Sequence, residues 1–257
     1  MRKESPYCGR AETQDLRRLS PDTSTGEQLA LTLILAALKN TAITFAALFP
    51  IVNPVGVAPI FLSLTGAYPE SVRKHLSGRI AFYGFLLLGG SLALGSAILA
   101  FFGISLPIIQ VAGGFVLGHT GWTMLNHPDE DHDERDTMIN VKDAWRRTFY
   151  PLTLPLTIGP GCISTAIAIG AQIRQQSATA RLQNLPLFLG AYLGMALVCV
   201  TLWVCYRNAG RLTAFLGPSG TNVVVRLSAF LLLAMGVQIM WNGLGSLLGP
   251  LLARPAA

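Results

Sequence analysis

Asn53 stands between two prolines. In the run Phe49-Pro50-Ile51-Val52-Asn53-Pro54-Val55-Gly56, Pro50 and Pro54 each lack a backbone N–H and crowd the preceding turn, so a helix through this run must kink or unwind. Each proline releases an upstream carbonyl, and the Asn53 amide adds both donors and an acceptor. A second run, Pro151-Leu152-Thr153-Leu154-Pro155-Leu156-Thr157-Ile158-Gly159-Pro160-Gly161, repeats the interruption. There Gly161 lets bare backbone amides approach a ligand, and Thr157 adds a hydroxyl. Carbonyls at such a break suit the ammonium of a zwitterion, and helix N-terminal amides suit its carboxylate. The competing reading is that Pro and Gly, common in membrane helices, only shape the packing.

Both runs lie in apolar surroundings. The chain has 257 residues, of which 51% are hydrophobic and only 12% charged, and its mean hydropathy is +0.49. No Asp, Glu, Lys or Arg falls within 40–69, 80–128, 148–173, 182–206 or 227–253. A helix needs roughly 20 apolar residues to cross a bilayer. Four of these windows hold one span each, and 80–128 holds two, divided near Phe102-Gly103-Ile104-Ser105. The expectation is an all-α polytopic membrane protein with six spans, near 41–64, 80–102, 104–126, 149–171, 184–206 and 224–245. Helices one and four of the six are the broken ones. Asn53, about 18 Å into the first span at helical rise, lies near the midplane.

The two halves echo each other. Residues 104–126 resemble 220–242, with Gln110…Met124-Leu125-Asn126 matching Arg226…Met240-Trp241-Asn242, and Pro54 matches Pro160. Three helices per copy is an odd number, so the second copy must be inverted in the membrane. The copies span about 36–126 and 148–248 within a membrane domain at 36–250. Residues 1–35 are expected to be a polar, disordered tail, since 1–28 show no hydrophobic period and no signal-peptide core. The segments after spans one, three and five carry Arg73, Lys74 and Arg79, then Arg135, Lys142, Arg146 and Arg147, then Arg207 and Arg211; the others carry only Arg174 and Arg181. The positive-inside rule makes the first set cytoplasmic and leaves both termini outside.

Further polar side chains sit on spans three and six. Gln110, His119, Arg226 and Gln238 are candidates for coupling or gating, His119 because imidazole titrates near neutral pH. Interhelical hydrogen bonding, with Arg226 snorkelling to the interface, is the plainer account. No Asp or Glu lies inside a span, so a carboxylate proton relay is not available. Small residues at four-residue spacing (Ser91/Gly95, Gly114/Gly118, Ala166/Gly170, Gly190/Gly194, Gly245/Gly249) should let helices approach closely. The acidic run His127-Pro128-Asp129-Glu130-Asp131-His132-Asp133-Glu134-Arg135-Asp136 lacks the glycine of a calcium loop and the HExxH spacing, and reads as a solvated loop. Cys8, Cys162, Cys199 and Cys205 follow no metal or disulfide spacing. No metal and no cofactor is expected, and the formal net charge of +6 does not point to nucleic acid.

Leu48 to Gly56, followed by Pro59-Ile60-Phe61-Leu62-Ser63-Leu64-Thr65, resembles the first helix of the MarC family. Phe102-Gly103-Ile104-Ser105-Leu106-Pro107 with Val111-Ala112-Gly113-Gly114 resembles its third, Pro151 to Gly161 its fourth, and Arg226…Val237-Gln238 its sixth. The resemblance runs from about 36 to 248. It implies a bacterial inner-membrane protein related to amino-acid exporters of the LysE type, and transport of small neutral amino acids. Carried over by position, its motif residues are Asn53, Pro54, Gly56, Gly159, Pro160 and Gly161. Cys162 departs from the alanine usual after that last glycine, and the long tail is also unusual. The reading is thus a secondary transporter binding a small neutral amino acid between the two breaks by alternating access. Its partners are that solute and the lipid bilayer, with a homo-oligomer open. A non-transporting assembly or interaction protein, or less plausibly an intramembrane lipid-processing enzyme, are the alternatives.

Overall fold

The computed structural model describes residues 23–126, 148–176 and 184–252. Every regular element among them is helical: α1 (Thr23–Val52), α2 (Pro54–Thr65), α3 (Glu70–Phe101), α4 (Leu106–Asn126), the π-helical α5 (Thr148–Thr157), α6 (Pro160–Gln176), α7 (Leu185–Arg207) and α8 (Ala209–Leu252). The acidic run at 127–136 and residues 1–22 lie outside the described part.

Both interruptions are present. Asn53 separates α1 from α2 in the left-handed conformation (φ 50°, ψ 56°), and it is the single non-glycine with positive φ among the described residues. Pro54 then opens α2, where a missing N–H costs nothing. The second interruption has a different form. Through Thr148–Thr157 the chain winds wide, with the Ile158 amide bonding the Thr153 carbonyl (2.8 Å). The Thr153 and Thr157 hydroxyls add bonds to the Thr148 and Leu152 carbonyls, each 2.7 Å and five residues back. Pro155 brings no N–H of its own to this ladder, so hydroxyl donors and i−5 bonds serve the carbonyls instead. Pro160 restarts a normal helix.

Among the described residues, four helical stretches are long and apolar enough to cross a membrane: Leu31–Thr65, Glu70–Phe101, Leu185–Arg207 and Ala209–Gly249. The other two expected spans fall short for stated reasons. Gln110, His119, Thr120 and Thr123 dilute α4, and the break at 158–159 divides the segment of α5 and α6. Helix boundaries also move outward. Helix α1 begins at Thr23, well before residue 36, because the mainly apolar run from Leu29 to Leu38 contains no breaker. Residues 23–35 therefore belong to a helix and not to a disordered tail. Helix α3 starts at Glu70, so Arg73, Lys74 and Arg79 occupy its first turns. Helix α8 starts at Ala209 and is interrupted at Gly217 (φ 66°, ψ 175°), where Pro218 follows. Arg226 is thus well inside a helix and not at its end.

Glycine contacts give the helix directions. Gly190 of α7 meets Ala37 and Gly194 meets Thr41, so α1 and α7 run parallel. Gly84 meets Ile158, and Arg174 donates to Ser96 and to the Ala93 carbonyl, so α3 and α6 run parallel too. Gly89 meets Tyr192 while Gly78 meets Trp203, which makes α3 and α7 antiparallel. Helices α4 and α8 share the most extensive contact and are antiparallel: Gly114 reaches Met240 and Gly121 reaches Leu233. A Cβ on Gly114 would sit 2.6 Å from the Gly236 carbonyl, so the backbones touch. The pair Gly245/Gly249 does not fulfil its expected role, since a Cβ added at either would meet no neighbouring helix within 4 Å among the described residues. Inside the bundle, Leu48, Phe61, Leu76, Ile80, Leu92, Ile158 and Met195 are fully buried. Outside, Phe82, Leu86, Leu94, Phe115, Leu193 and Phe230 are exposed, an apolar perimeter suited to lipid.

Candidate functional site

Helix α1 packs against α6 and α2 packs against α5. Each half of one broken segment therefore meets the opposite half of the other, so the two breaks cross close together inside the bundle.

At the first break the Asn53 Oδ1 accepts from the Gly56 amide (3.2 Å), capping α2. Its Nδ2 is buried and has no hydrogen-bond partner. Such a donor is costly to leave unmade. A Cβ on Gly56 would lie 2.5 Å from that Nδ2 and would overlap the Ser228 side chain of α8. Glycine is thus required here by close approach, and the Ser228 hydroxyl borders the same small space as the Asn53 amide. Pro54 and Gly56 are buried, while Asn53 is half-buried.

At the second break Gly159 is half-buried, Pro160 exposed and Gly161 buried. The Gly159 carbonyl accepts from the Cys162 amide (3.0 Å) and the Ile163 amide (3.2 Å). A Cβ on Gly161 would press on Leu117 at 3.1–3.3 Å, so what this glycine admits is α4. Thr157 is buried, and its hydroxyl is engaged by the Leu152 carbonyl and by the Tyr206 hydroxyl at 2.9 Å. Tyr206, near the end of α7, stacks on Phe61 of α2 with ring centroids 4.3 Å apart and planes 7° from parallel. One aromatic pair therefore ties the second break to the first broken segment. Beyond that pair lies a polar cavity of about 390 Å³ bordered by Phe61, Tyr206, Glu70, Arg73, Arg207 and Arg211. The stacked rings separate this basic vestibule from Thr157.

The remaining sequence candidates are not gathered at the breaks. His119 and Gln238 are exposed; Gln238 bonds Asn242 (2.9 Å), and His119 borders a shallow apolar groove between α4 and α8. Gln110 is half-buried, one turn before Gly113 on α4. Arg226 is exposed, two residues from Ser228, a spacing that puts the two on different faces of α8. Sequence reasoning missed Ser228, Tyr206 and Phe61. Tyr206 left one signal, a polar-tipped ring at the end of an otherwise apolar stretch; Ser228 left none. Cys162 and Cys199 are buried and unpaired, and Cys205 is half-buried. No cluster of His, Cys, Asp or Glu fit for a metal occurs among the described residues.

Comparison with known proteins settles the ancestry. The model of the MarC family of integral membrane proteins matches residues 38–248. The chain belongs to the MarC family. The inner membrane protein MarC of Escherichia coli strain SMS-3-5 is 30% identical over 216 residues, which cover 82% of this chain and 96% of that relative. MarC of strain K12 is 29% identical over the same extent. No solved structure matches. Membership, these relatives and the apolar helices place the chain in the bacterial inner membrane as a multi-pass protein.

Proposed function

We propose that this MarC-family protein is a secondary transporter of small neutral amino acids, binding its solute where the two broken segments cross. The observation that carries the reading is Asn53: a left-handed residue at a helix break, holding a buried amide nitrogen without a partner. That donor, with the carbonyls freed by Pro50 and Pro54, suits a small zwitterion. Gly56 and Gly161 are closely packed, by Ser228 and by Leu117, so the reading takes only a compact solute, and the sequence of the two breaks holds no ionised group to select a charged one. Asn53, Pro54 and Gly56 would bind from one side, and Thr157, Gly159, Pro160 and Gly161 from the other.

The same reading takes the membrane domain as six spans in two inverted three-helix copies. The pairing pattern supports it, because exchanging the copies exchanges equivalent contacts. The first broken segment packs on α7 as the second packs on α3, and α2 packs on α8 as α6 packs on α4. Contacts α4–α8 and α3–α7 map onto themselves. In this scheme the vestibule by Arg73, Arg207 and Arg211 faces the cytoplasm, the termini lie outside, and the Phe61–Tyr206 stack is the inner gate.

The test is uptake of labelled glycine and alanine into liposomes carrying the purified protein, with and without a pH gradient. Saturable uptake by the wild type, lost in Asn53→Gly with the fold retained, is the expected result. Uptake no greater than that of empty liposomes, by well-folded protein, refutes the amino-acid reading.

A further inference from the structure

Ser228, on α8, is 7% exposed, and its hydroxyl makes no hydrogen bond to any described residue. A serine or threonine buried in a helix ordinarily donates to the carbonyl four residues back. Thr41, Thr65, Ser91 and Thr165 all do so here, and Ser228 does not. The Asn53 Nδ2 is likewise buried and unpartnered. The point where a Gly56 Cβ would stand is 2.5 Å from that Nδ2 and overlaps the Ser228 hydroxyl, so the two polar atoms are no more than about 5 Å apart. Neighbours fix what each can offer. The Gly56 amide donates to the Asn53 Oδ1 (3.2 Å), so the free end of that side chain is its NH2, which can only donate. The Ser228 hydroxyl can donate beside it. Helix α2 also starts here, and the unpaired amides of a helix start favour negative charge.

We propose that the Asn53 Nδ2 and the Ser228 hydroxyl together bind the carboxylate of the solute, which makes Ser228 a binding residue and a free carboxylate a requirement for recognition. This deepens the transporter reading and rests on it. A carboxylate oxygen about 2.9 Å from both atoms satisfies two buried donors that the protein itself leaves unmet. Hydrogen bonds to a charged acceptor are stronger than those between neutral groups, so the clamp selects its ligand without a cationic side chain. An ammonium would face the Asn53 NH2, which offers it no acceptor. In the two-copy scheme the positions equivalent to Asn53 and Ser228 are Gly159 and Ala112, which bring no donor side chain. The clamp therefore belongs to one copy. The solute binds in one orientation, its carboxylate toward α2 and α8 and its ammonium turned away from them.

The test is isothermal titration of the purified protein in mild detergent with glycine, alanine and glycinamide, the last having a neutral amide in place of the carboxylate. Wild type should bind glycine saturably and glycinamide about tenfold or more weakly. Ser228→Ala should weaken glycine binding by about tenfold or more and leave glycinamide unchanged. Ser228→Cys keeps the size of the side chain, loses the strong donor and should behave the same, so it decides the matter if the alanine variant fails to fold. Ser246→Ala removes a hydroxyl that already bonds the Asn242 carbonyl on α8 (2.9 Å), and should change neither affinity. Glycine bound equally by the wild type and the Ser228 variants overturns the inference and leaves the transporter reading standing. So does equal affinity of the wild type for glycine and glycinamide. No saturable binding of glycine or alanine by folded wild type removes both together.

Discussion

Asn53 does two jobs that substitution can separate. Its left-handed backbone costs an ordinary residue about 1–2 kcal/mol, and its carbonyl oxygen caps α2. Asn53→Ala should therefore lower stability by about 1–2 kcal/mol, read as a drop in the thermal midpoint. Asn53→Gly tolerates the backbone and loses only the side chain, so it should stay within a few tenths of a kcal/mol and still abolish uptake. Matching losses of stability in both would mean that the amide serves folding alone. The Thr157–Tyr206 bond gives a second prediction. Tyr206→Phe keeps the stack on Phe61 and removes the hydroxyl, costing about 1 kcal/mol. Thr157→Val should cost about the same, and the double variant clearly less than the sum of the two. Asn53 was legible in the sequence because prolines on either side of a polar residue inside an apolar run have few other uses. Ser228 and Tyr206 were not, since only the packing of α8 and α7 brings them to the breaks.

Helices α4 and α8 meet through glycines whose partners are backbone atoms. A Cβ on Gly236 would run into the Gly118 backbone, with the Gly114 carbonyl 2.7 Å away. Gly236→Val should then cost more than about 3 kcal/mol or prevent folding, beyond ordinary overpacking because backbone cannot step aside. Gly245→Val on the same helix, where an added Cβ meets nothing within 4 Å among the described residues, should change the midpoint little. Thermal melts of the two variants side by side test whether spacing or actual contact makes a small residue matter. Both glycines are visible on one helix in the sequence, but ranking them needs the partner helix. The existence of the helices was plain from charge-free windows, whereas their ends were not. Arg73, Lys74 and Arg79 are compatible with a loop and equally with exposed first turns of α3, and Gly217 with Pro218 interrupts α8 without ending it. The π-helical form of α5 was likewise hidden: two prolines announce a disturbed helix, whereas the wide turn depends on the Thr153 and Thr157 hydroxyls reaching back five residues.

For the molecule as a whole, an apolar perimeter, two broken segments crossing in the middle and a basic vestibule closed by one aromatic pair form a single arrangement. Every part of it bears on one claim, that the crossing point opens alternately to the two sides of the membrane. The direct test places a single cysteine there, Gly159→Cys, in protein whose Cys8, Cys162, Cys199 and Cys205 are replaced by alanine. A membrane-impermeant maleimide is then applied to right-side-out and to inverted vesicles. Labelling from both sides is predicted, slowed in each case by glycine or alanine, with Tyr206→Phe shifting the balance toward the side of the vestibule. Labelling from one side only, unchanged by either amino acid and by the Tyr206 variant, would contradict the account.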